Sequence, residues 1–236
     1  APTPEPGPGE VRIRVVAATV NPADLAFRAG VRAQALAGRT PPHVPGMEVA
    51  GIVDALGAGT TFAAGDRVMA IVSPFDSPTG AYTEQVVVPA TQVVGAPPGL
   101  ALEAAASLPM SGMTAGLAME ALDLPPGATL AITGAAGAVG GYVVQMAHAR
   151  QLDLVADAAA ADVDLVRSLG ADHVVERGDE FVRAVRALVP SGVDALVDGA
   201  VLEGRADGAV RDGGAVVALR PRSSRPGRGI DCRLVF

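Results

Sequence analysis

The residues with the most chemical meaning lie in one stretch, TLAITGAAGAVGGYVVQ at 129–145, where a glycine-rich turn joins an apolar β-type run to a helical one. A turn in that context places the unpaired N–H groups of a helix N-terminus where a phosphate can approach them. Gly137 lets the backbone come close to a pyrophosphate, Gly140 allows helix to pack tightly on strand, and Gly134, Ala138 and Val139 complete the turn. Ala135 stands where the common fingerprint has its first glycine. Asp157 follows about 20 residues later, at the end of the next β-type run, where a carboxylate can accept hydrogen bonds from a ribose 2'-hydroxyl. The strand–turn–helix–strand context points to a dinucleotide rather than to a plain connecting turn.

Other chemistries are removed by what the chain lacks. All 18 basic residues are arginine, so the lysine of a P-loop, of a Schiff-base enzyme or of a Tyr-x-x-x-Lys pair is absent. Ser111 follows Leu108, Pro109 and Met110, which is not a nucleophile elbow. The single Cys232 excludes an intramolecular disulfide framework and any multi-cysteine metal site, which fits a reducing compartment. A net charge of -7 repels nucleic acid. Arg220, Arg222, Arg225, Arg228 and Arg233 cluster near the end without interleaved aromatics, and are read as a solvated loop. No apolar run approaches the length of a membrane span and the opening APTPEPGPGE is unlike a signal peptide, so the expectation is a soluble, cytoplasmic protein with neither nucleic-acid nor membrane partners.

Two rhythms must position these residues. Up to about residue 100 the apolar runs are short and punctuated by Gly and Pro: 10–20, 46–57, 65–72 and 80–88. Val11, Ile13 and Val15 alternate with Arg12 and Arg14, the pattern of half-buried antiparallel strands, which predicts a compact β barrel or sandwich. Residues 102–122 read as helical stretches broken at Pro109. From Thr129 the pattern is strand and helix in alternation: strands at 129–133, 153–157, 172–176, 193–198, 214–220 and 230–236, with helices at 137–150, 161–170, 181–189 and a short one near 202–210. Half the residues are apolar and only 3% aromatic, which suits helices packed on a Val-rich parallel sheet. The fold class is α/β, with a β-rich region followed by a doubly wound parallel sheet.

These motifs resemble the zinc-independent, quinone oxidoreductase-like branch of the medium-chain dehydrogenase/reductase superfamily. GAAGAVG with a Val-rich helix is similar to that branch's fingerprint, and RSLGADHVVERG at 167–178 to the segment carrying its third Rossmann strand. Upstream, ATVNPADLAFRAG, PGMEVAGIVDALGAG, GDRVMAI, GAYTEQVVVPA and LPMSGMTAGLA match the catalytic domain in order. The resemblance implies a GroES-like catalytic domain at 1–108 and a Rossmann domain at 109–236, with the family's first strands and its closing return to the catalytic domain lying outside the chain.

The resemblance also implies a chemistry. The family's catalytic zinc ligands correspond to Asn21, Met47 and Met110, none of which replaces thiolate or imidazole, so no zinc is expected. Hydride delivery to a quinone or an α,β-unsaturated carbonyl needs no metal. The N-P-x-D stretch lies beside the nicotinamide in the family, so Asn21 is expected to hydrogen-bond the substrate carbonyl or the carboxamide, and Asp24 to orient its neighbours; a plain turn at Asn21-Pro22 is the other reading. Glu48 receives no role. Ala26 occupies the position of a Tyr in some relatives, which leaves water to supply the proton. Thr114, Gly199, Ala200 and Leu219 are expected along the nicotinamide half of the site, because ligands of doubly wound sheets bind beyond the carboxyl ends of the strands. Asp157 favours NADH, whereas Arg177 and the branch as a whole favour NADPH; the reading settles on NADPH, with NADH the alternative. A small-molecule acceptor and a homodimer complete the expectation. Reduction of a carrier-bound enoyl group and nucleotide binding without turnover stand as alternatives.

Overall fold

The computed structural model describes residues 3–31, 33–77 and 79–235. The chain forms two compact units, Ala1–Met110 and Ser111–Phe236.

In the first unit the alternating runs become β1 (Glu10–Ala18), β2 (Glu48–Leu56), β3 (Arg67–Ile71), β4 (Gln85–Pro89) and β5 (Val93–Gly95). They hydrogen-bond as one antiparallel sheet in the order β4-β1-β2-β3-β5. The expected barrel or sandwich is therefore a five-stranded ladder that runs from β4 at one edge to β5 at the other. Alternation sets its faces: Val11 and Ile13 are fully buried with Val49, Val53, Val68, Val86 and Val88, while Arg12 between them pairs with Asp54 at 2.7 Å. Each such buried Val or Ile contributes roughly 1.5–3 kcal/mol relative to exposure. Gly51 on β2 opposes Val15, where a Cβ would stand 2.2 Å from the carbonyl oxygen of Arg14, so only glycine lets the two strands close here. α1 (Pro22–Arg28) opens at the N-cap Asn21 with Pro22 in its first turn, and α2 (Leu102–Ala105) packs Leu102 and Ala105 against Ala50.

α3 (Pro109–Leu122) carries the chain from the first unit into the second, and begins at the proline because Pro costs nothing in the first turn. There follow β6 (Thr129–Thr133), α4 (Ala138–Ala149), β7 (Asp153–Ala158), α5 (Val163–Ser168), β8 (His173–Glu176), α6 (Phe181–Leu188), β9 (Val193–Asp198), β10 (Val210–Ala218) and β11 (Asp231–Leu234). All pairings are parallel, in the order β11-β10-β9-β6-β7-β8, so the first strand of the unit lies beside the fourth and the order reverses between β6 and β9. Ala131, Val155 and Leu196 are buried on one face and Leu130, Ile132, Leu154 and Val197 on the other, which is why these strands read as continuous apolar runs.

Three sequence readings change. The short helix near 202–210 is instead a run of turns ending in a single 3-10 turn, Asp207–Ala209, because Gly204 and Gly208 interrupt it and β10 begins four residues early at Val210. The strand expected over 230–236 is limited to Asp231–Leu234, and Phe236 lies outside the described residues. The terminal arginines are not a uniformly solvated loop: the Arg222 side chain is only 6% exposed and grips Asp207 with both terminal nitrogens, and Arg228 donates to Asp212 and to the Val210 carbonyl.

Candidate active site

In the second unit the site is built from backbone. β6 ends at Thr133, Gly134 takes φ +71°, and Gly137 caps α4 from an extended conformation. A Cβ on Gly134 would also press on the Gly199–Ala200 peptide at about 3.0 Å, and one on Gly140 would fall 2.1 Å from the Gly134 oxygen. The first bond of the helical ladder runs from Gly141 N to the Gly137 oxygen at 2.8 Å, so the N–H groups of Ala138, Val139 and Gly140 precede it. Gly137 and Ala138 are exposed, which leaves this helix start open to an anion.

Ala135, the departure from the common pattern, is fully buried in the core, and its N–H donates to Asp157 Oδ1 at 3.1 Å. The second carboxylate oxygen of Asp157 lies 3.7 Å from Arg177 Nε. Asp157 is only 2% exposed, and its carboxylate ties β7 to the glycine turn. A brace of the same kind fixes the neighbouring loop. Asp198 accepts from Thr133 Oγ1 and from Leu202 N, both at 2.9 Å, while Thr133 Oγ1 accepts from Ala200 N at 3.2 Å. Gly199 must be glycine, since a Cβ there would lie 2.5 Å from the Thr133 oxygen. Val201, next in line, holds φ +57°, a strained conformation for a β-branched residue. A cavity of about 350 Å³ opens beside these elements, lined by Asp157, Arg177, Phe181, Ala200 and Arg205. Leu219 is half-buried just beyond β10, and Thr114 is half-buried on α3.

In the first unit the site is built from side chains. Asp24, 3% exposed, accepts from Asn21 N at 2.8 Å and from Gly46 N at 3.0 Å, tying the start of α1 to the loop before β2. Glu48, 1% exposed at the start of β2, accepts from Thr19 Oγ1 at 2.5 Å, Asn21 Nδ2 at 2.9 Å and Met110 N at 2.8 Å. Asn21 Nδ2 also donates to Thr19 Oγ1 at 2.9 Å and lies 3.8 Å from Met110 Sδ. A carboxylate only accepts, so it fixes which way the Asn21 amide faces. With its N–H groups spent on Glu48 and Thr19, Asn21 has its carbonyl oxygen, not its amide hydrogens, to offer a ligand. Of the two partners expected of Asn21, this orientation suits the N–H of a carboxamide rather than a substrate carbonyl. Tyr82 donates to the Thr19 carbonyl at 2.9 Å; burial pushes its phenol above the ordinary value, and the charge and hydrogen bond of Asp24 add to the effect. Neither Glu48 nor Tyr82 was assigned a role from sequence. The signal for Glu48 lay in the PGMEVAG stretch, where it directly follows Met47, a position aligned with a family zinc ligand.

Of the positions where the family carries zinc ligands, Asn21 and Met110 are brought together beside Glu48. Among the described residues no group of three or more His, Cys, Asp or Glu is placed to hold a metal ion, and no helix is long and apolar enough to cross a membrane.

Residues 7–98 match the alcohol dehydrogenase GroES-like domain. The chain is 34% identical over 208 residues to a chloroplast envelope quinone oxidoreductase homolog of Arabidopsis thaliana, covering 83% of this chain and 61% of that protein. Among solved structures, an alcohol dehydrogenase superfamily protein from Novosphingobium aromaticivorans superposes with a TM-score of 0.89 at 27% identity, over 100% of this chain and 74% of that one. A mycobacterial protein solved in complex with NADPH gives a TM-score of 0.83 at 28% identity, over 100% of this chain and 75% of that one. The chain spans 61% of the length of that quinone oxidoreductase homolog and less than that of the other curated relatives it matches. With a GroES-like first unit and a second unit in the 3-2-1-4-5-6 strand order, it belongs to the medium-chain dehydrogenase/reductase superfamily and is quinone oxidoreductase-like.

Proposed function

We propose that the protein is a zinc-independent, NADPH-dependent reductase of a quinone or an α,β-unsaturated carbonyl, with the first unit serving the acceptor and the second holding the cofactor. The observation that carries this reading is the glycine turn. An exposed helix start, a Gly134–Gly140 contact that no Cβ could enter and a cavity of about 350 Å³ beside it fit a dinucleotide. Ala138, Val139 and Gly140 would receive the pyrophosphate through their N–H groups, with Arg177 on the adenosine side. When bound, a nicotinamide would supply a hydride to the acceptor carbon, with the balancing proton going to the quinone oxygen or to the carbon next to the carbonyl. In the first unit Asn21 is held rigid by Glu48, Thr19 and Asp24, and its carbonyl oxygen orients an N–H of the bound complex. Water is left to supply the proton, since the Tyr82 hydroxyl already donates to the Thr19 carbonyl.

NADPH is favoured over NADH because Asp157, the residue that would repel a 2'-phosphate, is buried and already engaged by Ala135 and Arg177, while Arg177 and Arg205 both line the cavity. NADPH oxidation with a soluble quinone, followed by absorbance, tests the activity, and chelator insensitivity with elemental analysis tests the absence of zinc. Arg177→Ala should weaken NADPH by about 10-fold and leave NADH unchanged, the loss of one charge-assisted contact to phosphate. Equal effects on both cofactors would overturn the preference.

A further inference from the structure

Below the connection that leaves β10 and returns to β11 lies a second cavity, of about 740 Å³. Arg220, Arg222, Ser223, Ser224 and Arg225 line it from the connection and Cys232 from β11, with Ala218 and Leu234 at the carboxyl ends of the two strands. β9 separates this cavity from the point between β6 and β9 at which the strand order reverses.

Its charge is unbalanced. Arg220 and Arg225 make no ion pair among the described residues, and the one lining carboxylate, Asp231, is taken by Arg233 at 2.7 Å. Arg222 is the anchor: its side chain is 6% exposed, and Asp207 occupies the two terminal nitrogens end-on, at 3.0 and 2.5 Å. That leaves Arg222 Nε buried with no acceptor among the described residues. A buried guanidinium donor left unmet is costly unless an acceptor is supplied, and arginine's planar fork fits a carboxylate or phosphate on its free edge.

We infer that this cavity binds an oxyanion, and that the protein's preferred acceptors carry one, a carboxylate in the first instance. Arg222 provides the buried donor, Arg220 and Arg225 the attracting charge, and the Ser223 and Ser224 hydroxyls further donors. The inference rests on the reductase reading for its substrate class, and on the second unit alone for the site.

The test compares the enone acid acetylacrylate with its methyl ester under NADPH, in wild type and in the double variant Arg220→Gln/Arg225→Gln, whose changed residues are exposed and unpaired. Wild type should prefer the acid by about 10-fold in kcat/KM, and the variant should lose that preference on the acid alone. Calorimetric titration with levulinate, the saturated product, gives a readout without turnover: its affinity should fall about 10-fold in the variant. Reduction of both compounds with no acid preference, and no levulinate binding, overturns the site while leaving the reductase standing. Levulinate binding that the variant loses, with neither enone reduced, keeps the site and removes the reductase reading. Inhibition by phosphopantetheine but not pantetheine, lost in the variant, supports the oxyanion site and assigns its ligand to a carrier arm rather than a free acid.

Discussion

The two units hold their functional groups by opposite means. In the second unit, Gly134, Gly137, Gly140 and Gly199 shape a backbone cradle, and the buried carboxylates Asp157 and Asp198 only brace it. In the first unit the site's geometry resides in side chains, with Glu48 gathering Thr19, Asn21 and Met110 around one carboxylate. A site made of backbone fails through steric conflict, whereas one made of side chains fails through unmet hydrogen bonds. The two should therefore differ in how they tolerate substitution.

The largest expected effect is steric. Gly140→Ala places a methyl 2.1 Å from the Gly134 oxygen, a rigid backbone atom. Thermal unfolding should show a loss of about 3 kcal/mol or more, with cofactor affinity falling too. A variant as stable as wild type that still binds NADPH would mean that the turn has room to shift, and the contrast between the units would lose its basis.

Glu48→Gln comes next. The amide keeps the shape but turns an N–H toward the Met110 N–H or the Asn21 amide, which can only donate, so stability should fall by about 2 kcal/mol in a denaturant titration. Turnover should fall with it while cofactor affinity holds, because Asn21 loses its anchor. An unchanged midpoint would show that the carboxylate network is not what orders this region.

Asn21→Ala sharpens the same point within the side-chain site. Turnover on a quinone or enone should drop about 10-fold, the loss of roughly one hydrogen bond made in the transition state, with little change in cofactor affinity. Equal turnover would return Asn21 to the status of a helix cap.

The smallest effect is a pH dependence in the second unit. Burial pushes the Asp194 carboxyl up, but hydrogen bonds from the Thr129 N–H, Arg211 and the Thr129 hydroxyl outweigh it and leave the group below its ordinary value of 3.8. A carboxyl lowered by folding adds stability above that value and loses it as pH falls through the folded pKa. Asp194→Asn should therefore cost about 1 kcal/mol near neutrality and almost nothing in strong acid, where wild type has lost the same contribution. A cost independent of pH would assign the effect to packing.

Much of the architecture was legible before any coordinates. Strands at 129–133 and 193–198 match β6 and β9 at both ends, because a strand buried on both faces must be a short apolar run and its neighbours must be crossover helices. The glycine turn was legible for a related reason: a positive φ at Gly134 and a Cβ-free contact at Gly140 restrict the residue type at that position, whatever surrounds it. The short segment 202–210 was misread because its apolar residues carry too little periodicity to separate a helix from successive turns.

What the sequence determined by itself was thus the set of features written in local order: the alternation of elements, the turn that opens α4 and the absence of lysine chemistry. Which polar groups meet was decided only by the tertiary structure. Glu48 stands 27 residues from Asn21 and 62 from Met110, and Asp157 stands 22 from the Ala135 N–H it accepts. A hydrogen bond between residues so far apart leaves no spacing in the chain, because its partners are brought together by the sheet that folds between them. The same holds for Arg222: its five donors are evident from composition, but the unmet Nε exists only once Asp207 has closed on the other edge.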